Sequence, residues 1–448
     1  MSFEDQFHSL QLKRLAVHRS IIATFKEIHG RLFINRHLSI DGKNILEQRE
    51  FGAWKVWTAH SGTGLPGWPR IGLLHSFYRS GTPSGENIAV QSQFDMLASH
   101  GVDVTLVGVY SDAAVGNVFQ TLKTGVSVAR GTGLSPPAEI RIGDFDVLHV
   151  HNAFPNISHR WLAEVSVPIV ATIHNYRAFC AIGTFTRDGK GCFECAEESP
   201  WKSVTHACYR DSRIATLPIA LQQSGSHSWA KFLQSLKVTL VPGEPMRGIL
   251  KGLGIQNSVT LPQPAGQENI GEASSPEPKD QWLFVGRLDR DKGISDLLKV
   301  WPQGEKLVVV GAGPSEMECL DLIRTRSLNV EMFGAQQRDV VAGLMSTSRG
   351  LVFSSKALEG APLVYGEALS VGLPVLAAQG NVLADQVNLD GTGATFSLTD
   401  SDSLCSGING VTQQRDLLSR TCLEIYESRY TTSQWLEGLL AVYKSVLK

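Results

Sequence analysis

Two glutamates stand eight positions apart in Glu359-Gly-Ala-Pro-Leu-Val-Tyr-Gly-Glu367. With Pro362 near a helix N-terminus, where a missing N–H costs nothing, the free amides of Gly360 to Leu363 make an anion site. Glu359 then lies on the loop and Glu367 on the first turns of the helix, both able to accept charge-assisted hydrogen bonds from a ligand rich in hydroxyls. Alone, such a pair is most often two solvated charges. Its context is Gly286-Arg287-Leu288-Asp289-Arg290-Asp291-Lys292-Gly293, directly after a strand, where an Arg and a Lys form a basic patch suited to a pyrophosphate. Gly311-Ala312-Gly313-Pro314, after the next strand, is a tight turn through which a flat or phosphorylated ligand can approach the backbone. It lacks the third glycine and the acidic ribose partner of a dinucleotide fingerprint, which argues against a dehydrogenase.

A second constellation holds four of the seven cysteines, Cys180, Cys192, Cys195 and Cys208, with a C-x2-C at its centre. Four thiolates so spaced could close a tetrahedral structural zinc site that stiffens a loop over residues 176–210. Partly buried free thiols are the other reading, and the spacing leaves both open. An odd cysteine count in a long chain speaks against a disulfide framework.

These residues need strands and helices to hold them. From Arg70 onward, short apolar runs alternate with helical periodicity: strands at Ile71 to His75, Val102 to Val107, Asp146 to Val150, Pro168 to Ile173 and Lys237 to Val241, with a helix from Glu86 to His100. A second series follows the polar, Pro-containing stretch 262–280. Its strands are Gln281 to Val285, Lys306 to Val310, Val330 to Phe333, Gly350 to Phe353 and Pro374 to Ala377. Strands spaced by helices imply parallel sheets covered on both faces. Two such doubly wound units enclose a cleft, and ligands of such sheets sit at the carboxyl ends of the strands.

The chain of 448 residues is 42% hydrophobic and 19% charged with a formal net charge of −2, which suits two or three ordinary domains and disfavours a nucleic-acid binder acting through broad positive charge. No apolar run is long enough to span a bilayer. The start, Met1-Ser2-Phe3-Glu4-Asp5, lacks the basic region of a secretory signal, so the expected location is the cytoplasm. Between Lys13 and Arg36 six Lys or Arg face one acid, Glu27, on an amphipathic helical pattern. That helix either lies on an anionic membrane surface or docks on the neighbouring domain with a solvated basic face. Residues 61–69, crowded with Gly and Pro, are expected to be a linker.

Taken together, Gly286-Arg287 with Lys292-Gly293, Gly311-x-Gly313-Pro314, Phe333-Gly334 and Glu359-Gly-x-Pro-Leu-x-x-x-Glu367-Ala-Leu-x-x-Gly372-x-Pro374-Val375 resemble the family 4 glycosyltransferases, and bacterial polysaccharide enzymes among them. Gly81-Thr-Pro-Ser-Gly85-Glu86-Asn87 resembles that family's acceptor-side glycine loop, while His149-Val-His151-Asn152 and Thr172-Ile-His174-Asn175-Tyr176 resemble its two histidine-bearing strand ends. The resemblance implies the α/β GT-B fold, two Rossmann-like doubly wound domains facing a cleft, and retaining, metal-independent transfer from a nucleotide-diphosphate sugar. It covers Arg70 to the C-terminus. The implied organisation is an extension with the basic helix and linker (1–69), an acceptor domain (70–262) carrying the Cys-rich loop, a linker (263–280), a nucleotide-sugar domain (281–430) and a final helix (431–448) crossing back to the first domain.

The resemblance also implies roles. Arg287 and Lys292 would bind the donor diphosphate, Glu359 the sugar hydroxyls and Glu367 the ribose. Gly286, Gly311, Gly313, Gly360, Pro362 and Leu363 would support the nucleotide sugar, Gly85 would approach its phosphate from the opposite domain, and His151 would lie near sugar and acceptor, with His174 a second choice. The partners expected are a UDP- or GDP-sugar and a glycan or polyprenyl-linked acceptor at the inner face of the plasma membrane, with no nucleic acid. Two departures, Ser354-Ser355 before the first Glu and Gly380-Asn381 after the Pro374 strand, bear on donor identity. A nucleotide-sugar epimerase of the same fold and a silent sugar-nucleotide-binding scaffold are the alternatives.

Overall fold

Runs of Val, Ile and Leu without polar alternation dictate strands buried on both faces, and two sheets form from them. The computed structural model describes residues 45–60, 65–78, 84–110, 118–226, 228–265, 280–360 and 362–448. The expected basic helix and most of the 263–280 linker lie outside these residues.

The first sheet contains β1 (Ile45–Phe51), β2 (Trp54–His60), β3 (Ile71–Phe77), β4 (Val104–Tyr110), β5 (Val147–Asn152) and β6 (Ile169–Thr172). A separate two-stranded ribbon follows, β7 (Thr186–Arg187) with β8 (Lys190–Gly191), before the first sheet resumes with β9 (Thr239–Val241) and β10 (Ser258–Thr260). The order across the first sheet is β1-β2-β4-β3-β5-β6-β9-β10. Every pairing from β4 to β10 is parallel, whereas β1 and β2 are an antiparallel hairpin laid on β4.

That hairpin lies within residues 1–69, where the sequence reading placed a basic helix and a linker and read no strand. Trp54 and Val56 are buried in one apolar layer of the sheet and Trp57 and Ala59 in the other. Burial on both faces of β2 needed the open edge of β4, which it pairs with. β10, which the sequence reading ended before, completes the other edge.

The second sheet is parallel throughout: β11 (Trp282–Val285), β12 (Leu307–Val310), β13 (Val330–Gly334), β14 (Gly350–Phe353), β15 (Val375–Ala378) and β16 (Gly393–Phe396), in the order β13-β12-β11-β14-β15-β16. Alternate residues feed two apolar layers: Trp282, Phe284, Leu307, Val309 and Leu376 on one face, Leu283, Val308, Leu351, Phe353 and Val375 on the other. β16 went unread because its first three residues are only partly buried.

In this sheet the chain winds outward from β11 to β13, then returns to β14 beside β11, so the crevice between the β11 and β14 loops is its switch point. The same reversal falls between β3 and β5 in the first sheet. The last helix, Thr432–Leu447, packs on the first sheet beside β6, burying Trp435, Leu439, Val442 and Tyr443 in the apolar layer of that sheet. No helix among the described residues is long and apolar enough to cross a membrane.

Candidate active site

The β11 and β14 loops meet at Gly293, whose φ of +67° and contact with the Ser354 carbonyl leave no room for a Cβ. Ser354 Oγ donates to the Lys292 carbonyl at 2.8 Å, tying the two loops together. Lys292 Nζ then reaches both oxygens of Glu359, at 2.7 and 2.8 Å, and Ser355 Oγ donates to the same carboxylate at 2.6 Å. Glu367, on the Leu363–Ser370 helix, faces Arg338 at 3.8 Å. Burial pushes the Glu367 carboxyl above its ordinary value, opposed by the Arg338 charge.

These residues border an open cavity of about 700 Å³ between the two sheets, of the size that small-molecule sites occupy. Gly286, Lys292, Glu359 and Glu367 line it, as do Gly360, Pro362 and Leu363 at the helix entry and Gly85 from the opposite domain. Pro362 is the N-cap of its helix rather than a first-turn residue.

Four expected residues sit elsewhere. Arg287 is turned to solvent, its side chain 64% exposed and paired with Asp289 at 2.8 Å. Gly311 and Gly313 press against the carbonyls of Gly286 and Leu288. The backbone that approaches this turn is therefore the protein's own β11 loop, which Leu288 N–H fastens to the Ala312 carbonyl at 3.0 Å. His151 is buried at 3% exposure behind His174, and it is His174 that lines the cavity.

The two departures from the family pattern turn out to be neighbours. Asn381 Nδ2 donates to the Ser355 carbonyl at 2.8 Å, while its Oδ1 caps the following helix at Ala384 N–H, 2.9 Å. Ser354, Ser355 and Asn381 brace the Glu359 loop from behind.

On the first domain's side the strand ends carry a neutral cluster. His75, His149 and His151 are buried, and His174 is stacked on His151 with ring centroids 5.2 Å apart. Burial is the leading cause that lowers all four: His75 to about 4, His149 and His174 to about 3, and His151 well below the ordinary range. Glu86, in the first turn of the Gly85–Ser99 helix, also lines the cavity. Tyr78 Oη and Asn175 Nδ2 donate to its Oε2 at 3.2 and 3.1 Å, and burial raises the carboxyl to about 7 against the pull of Arg177. The sequence reading assigned Glu86 no role. The available signal was its place immediately after the glycine loop, at the switch point of the sheet.

The Cys-rich loop crosses the cleft: Leu358 N–H donates to the Thr184 carbonyl at 3.2 Å, beside Glu359. The four cysteines expected as a tetrahedral zinc set, Cys180, Cys192, Cys195 and Cys208, lie in this loop and in the core beneath it. All four are free thiols, and among the described residues no group of three or more His, Cys, Asp or Glu is arranged to hold a metal ion. Cys180 is buried in the core under the turn begun by Tyr176, while the other three stay half-exposed. Burial, then the neighbouring thiols, pushes Cys195 up to about 12 and raises Cys208. Glu194 is engaged by Arg187 and His206.

Two facing α/β domains with this cleft define the GT-B fold, and solved structures share it. The chain superposes on a sucrose-phosphate synthase from Thermosynechococcus elongatus with a TM-score of 0.55 and 15% identity, covering 84% of this chain and 98% of that one. A glycosyltransferase from Rickettsia africae gives 0.53 and 12%, covering 85% and 99%. Anabaena HepE, solved in complex with UDP, gives 0.52 and 14%, covering 84% and 100%. Within the fold, residues 267–422, most of the second domain, match the family described as "Glycosyl transferases group 1". No curated protein matches the chain in sequence.

Proposed function

We propose that the chain is a retaining glycosyltransferase of family 4 type, moving a sugar from a nucleotide-diphosphate sugar to a glycan or polyprenyl-linked acceptor in cell-surface polysaccharide synthesis. The observation that carries this reading is the Lys292–Glu359 pair at the switch point of the domain that carries the group 1 match, with Glu367 in the same cavity. Lys292 and Glu359 neutralise one another. A diphosphate competes for the ammonium and sugar hydroxyls for the carboxylate, so a nucleotide sugar offers a substitute at both ends of the pair.

In the proposed reaction the bond from the sugar's anomeric carbon to the diphosphate breaks. The acceptor oxygen forms its bond on the same face, and the acceptor proton leaves with the diphosphate. Lys292 stabilises the charge growing on the leaving group, aided by Arg287 once it turns from Asp289 into the cleft. Glu367 holds the ribose and the backbone at Gly360, Pro362 and Leu363 supports sugar and phosphate, with Gly85 facing them. His174, at the cavity wall, takes the contact first expected of His151. No step calls for a metal, and the Cys-rich loop enters as a strap across the cleft.

UDP is the first nucleotide to test, because HepE of the same fold is a UDP complex. A polyprenyl-linked acceptor would be met at the cytoplasmic membrane face. The test is a panel of UDP- and GDP-sugars followed for thermal stabilisation, then for hydrolysis and transfer. One nucleotide sugar should stabilise the protein and be turned over, and Glu359→Ala should lower that turnover about 10²-fold or more. Unchanged turnover in Glu359→Ala sinks the reading, and sugar isomerisation without transfer would make the chain an epimerase.

A further inference from the structure

The histidines at the strand ends hold more order than the proposed reaction uses. His149 is fully occupied: its Nδ1 meets Gln93 Nε2 at 3.2 Å and Tyr443 Oη at 2.8 Å, and its Nε2 meets Thr172 Oγ1 at 2.7 Å. It stacks on His151 at 4.3 Å and makes no hydrogen bond to it. The one polar contact of the His151 ring is Nδ1 to His174 Nε2, at 3.0 Å. The far nitrogen, His151 Nε2, is buried and finds no partner among the described residues. His174, whose ring shares that contact, borders the cavity beside Glu359 and Gly360.

Two neutral imidazoles sharing one hydrogen bond have two arrangements. If His174 donates, His151 must carry its proton on Nε2, leaving a buried N–H with nothing to bond. If His151 donates from Nδ1, its Nε2 is a bare lone pair, and His174 must carry its own proton on Nδ1. A buried orphan N–H is rarer in folded proteins than an under-satisfied acceptor, so the second arrangement is favoured. The same cluster holds a control. His75 Nε2 lies 3.1 Å from Asn87 Oδ1, and the Tyr78 backbone N–H, at 3.3 Å, marks that oxygen as an acceptor. The His75 proton must then sit on Nε2, so its buried, unpartnered Nδ1 is a bare lone pair too.

We propose that His151 is a positioning residue: it donates Nδ1–H to His174 Nε2 and so holds His174 as the Nδ1–H tautomer, presenting a neutral N–H donor to an oxygen of the ligand in the cleft. Fixing one ring nitrogen to set the other is how proteins choose a histidine's role. That the oxygen belongs to a sugar or diphosphate rests on the glycosyl-transfer reading; the tautomer does not.

The experiment is ¹⁵N NMR of the histidine rings in the full chain at pH 7, with His174 assigned by its loss in His174→Ala. The expected spectrum has the His174 proton on Nδ1. A proton on Nε2, or an imidazolium, overturns the proposal. The second arm compares His151→Gln, whose amide N–H can still donate to His174, with His151→Leu, which cannot, both checked for cooperative melting. Using UDP-glucose, or whichever nucleotide sugar proves active, the Gln variant should stay within about threefold of wild-type kcat and the Leu variant should fall about tenfold, with the donor KM less affected. Equal loss in both would leave His151 a packing residue and refute its positioning role. If no nucleotide sugar is turned over, the glycosyl-transfer reading fails while the NMR arm still decides the tautomer.

Discussion

The two walls of the cleft solve different problems. The second domain presents charge: Lys292 with Glu359, Arg338 with Glu367 and Arg287 with Asp289, all on side chains with solvent access. The first domain presents four histidines that burial holds neutral and a carboxyl raised to about 7. Both sit at the switch points of parallel sheets, so topology alone does not distinguish them. Ion pairs that keep some solvent access can exchange partners with an anionic ligand at lower cost than fully buried ones, because water reaches the charges while they move. A buried neutral cluster cannot rearrange cheaply, and holds direction instead. The charged wall is suited to capture and to leaving-group stabilisation, the neutral wall to orientation.

The largest effect expected of this contrast is at Lys292. Lys292→Ala should cost about 10²- to 10³-fold in kcat and abolish stabilisation by UDP, read from turnover and thermal melts. A loss no greater than that of His151→Leu would erase the distinction between the walls.

Next comes Glu86. Its carboxyl is at about 7 in the folded protein against an ordinary value of 4.5, so between those values the folded state binds the extra proton. The associated stability is fully present below pH 4.5 and is lost as pH rises through 7. Glu86→Gln cannot titrate. Its stability relative to wild type should therefore climb between pH 5 and pH 8, by up to about 3 kcal/mol, in urea melts at the two pH values. A flat difference would mean that Glu86 is already ionised and the wall is not neutral.

The smallest effect tests the bracing behind the charged wall. Asn381→Ala removes a helix cap and the bond to the Ser355 carbonyl, and should cost about 1 to 2 kcal/mol of stability. Because Ser355 positions Glu359, the variant should also raise the donor KM several-fold. Lost stability with an unchanged KM would show that the brace supports the fold alone.

How far the sequence could be read follows the same division. β14 was read at its observed limits, Gly350–Phe353, because a wholly buried parallel strand is a continuous apolar run, here opened by a glycine. β1 and β2 escaped because their burial depends on the edge of β4, distant in sequence. In the site, Lys292, Glu359 and Glu367 were legible since each lies in a short loop or near the start of the helix that follows it, where spacing along the chain sets spacing in space. Arg287 shares that motif, yet its rotamer is taken by Asp289, a choice that spacing does not make.

The amino-acid sequence by itself determined two α/β units and the charged residues placed at one end of the second, because apolar periodicity and loop spacing act over a few residues. Only the tertiary structure decided that His174 rather than His151 meets the cavity and that Glu86 lines it as well. His149 meets Tyr443 across 294 residues, and His151 meets His174 across 23. Such neighbours come from separate strands and a returning helix, and their protonation follows from how deeply the assembled sheet buries them.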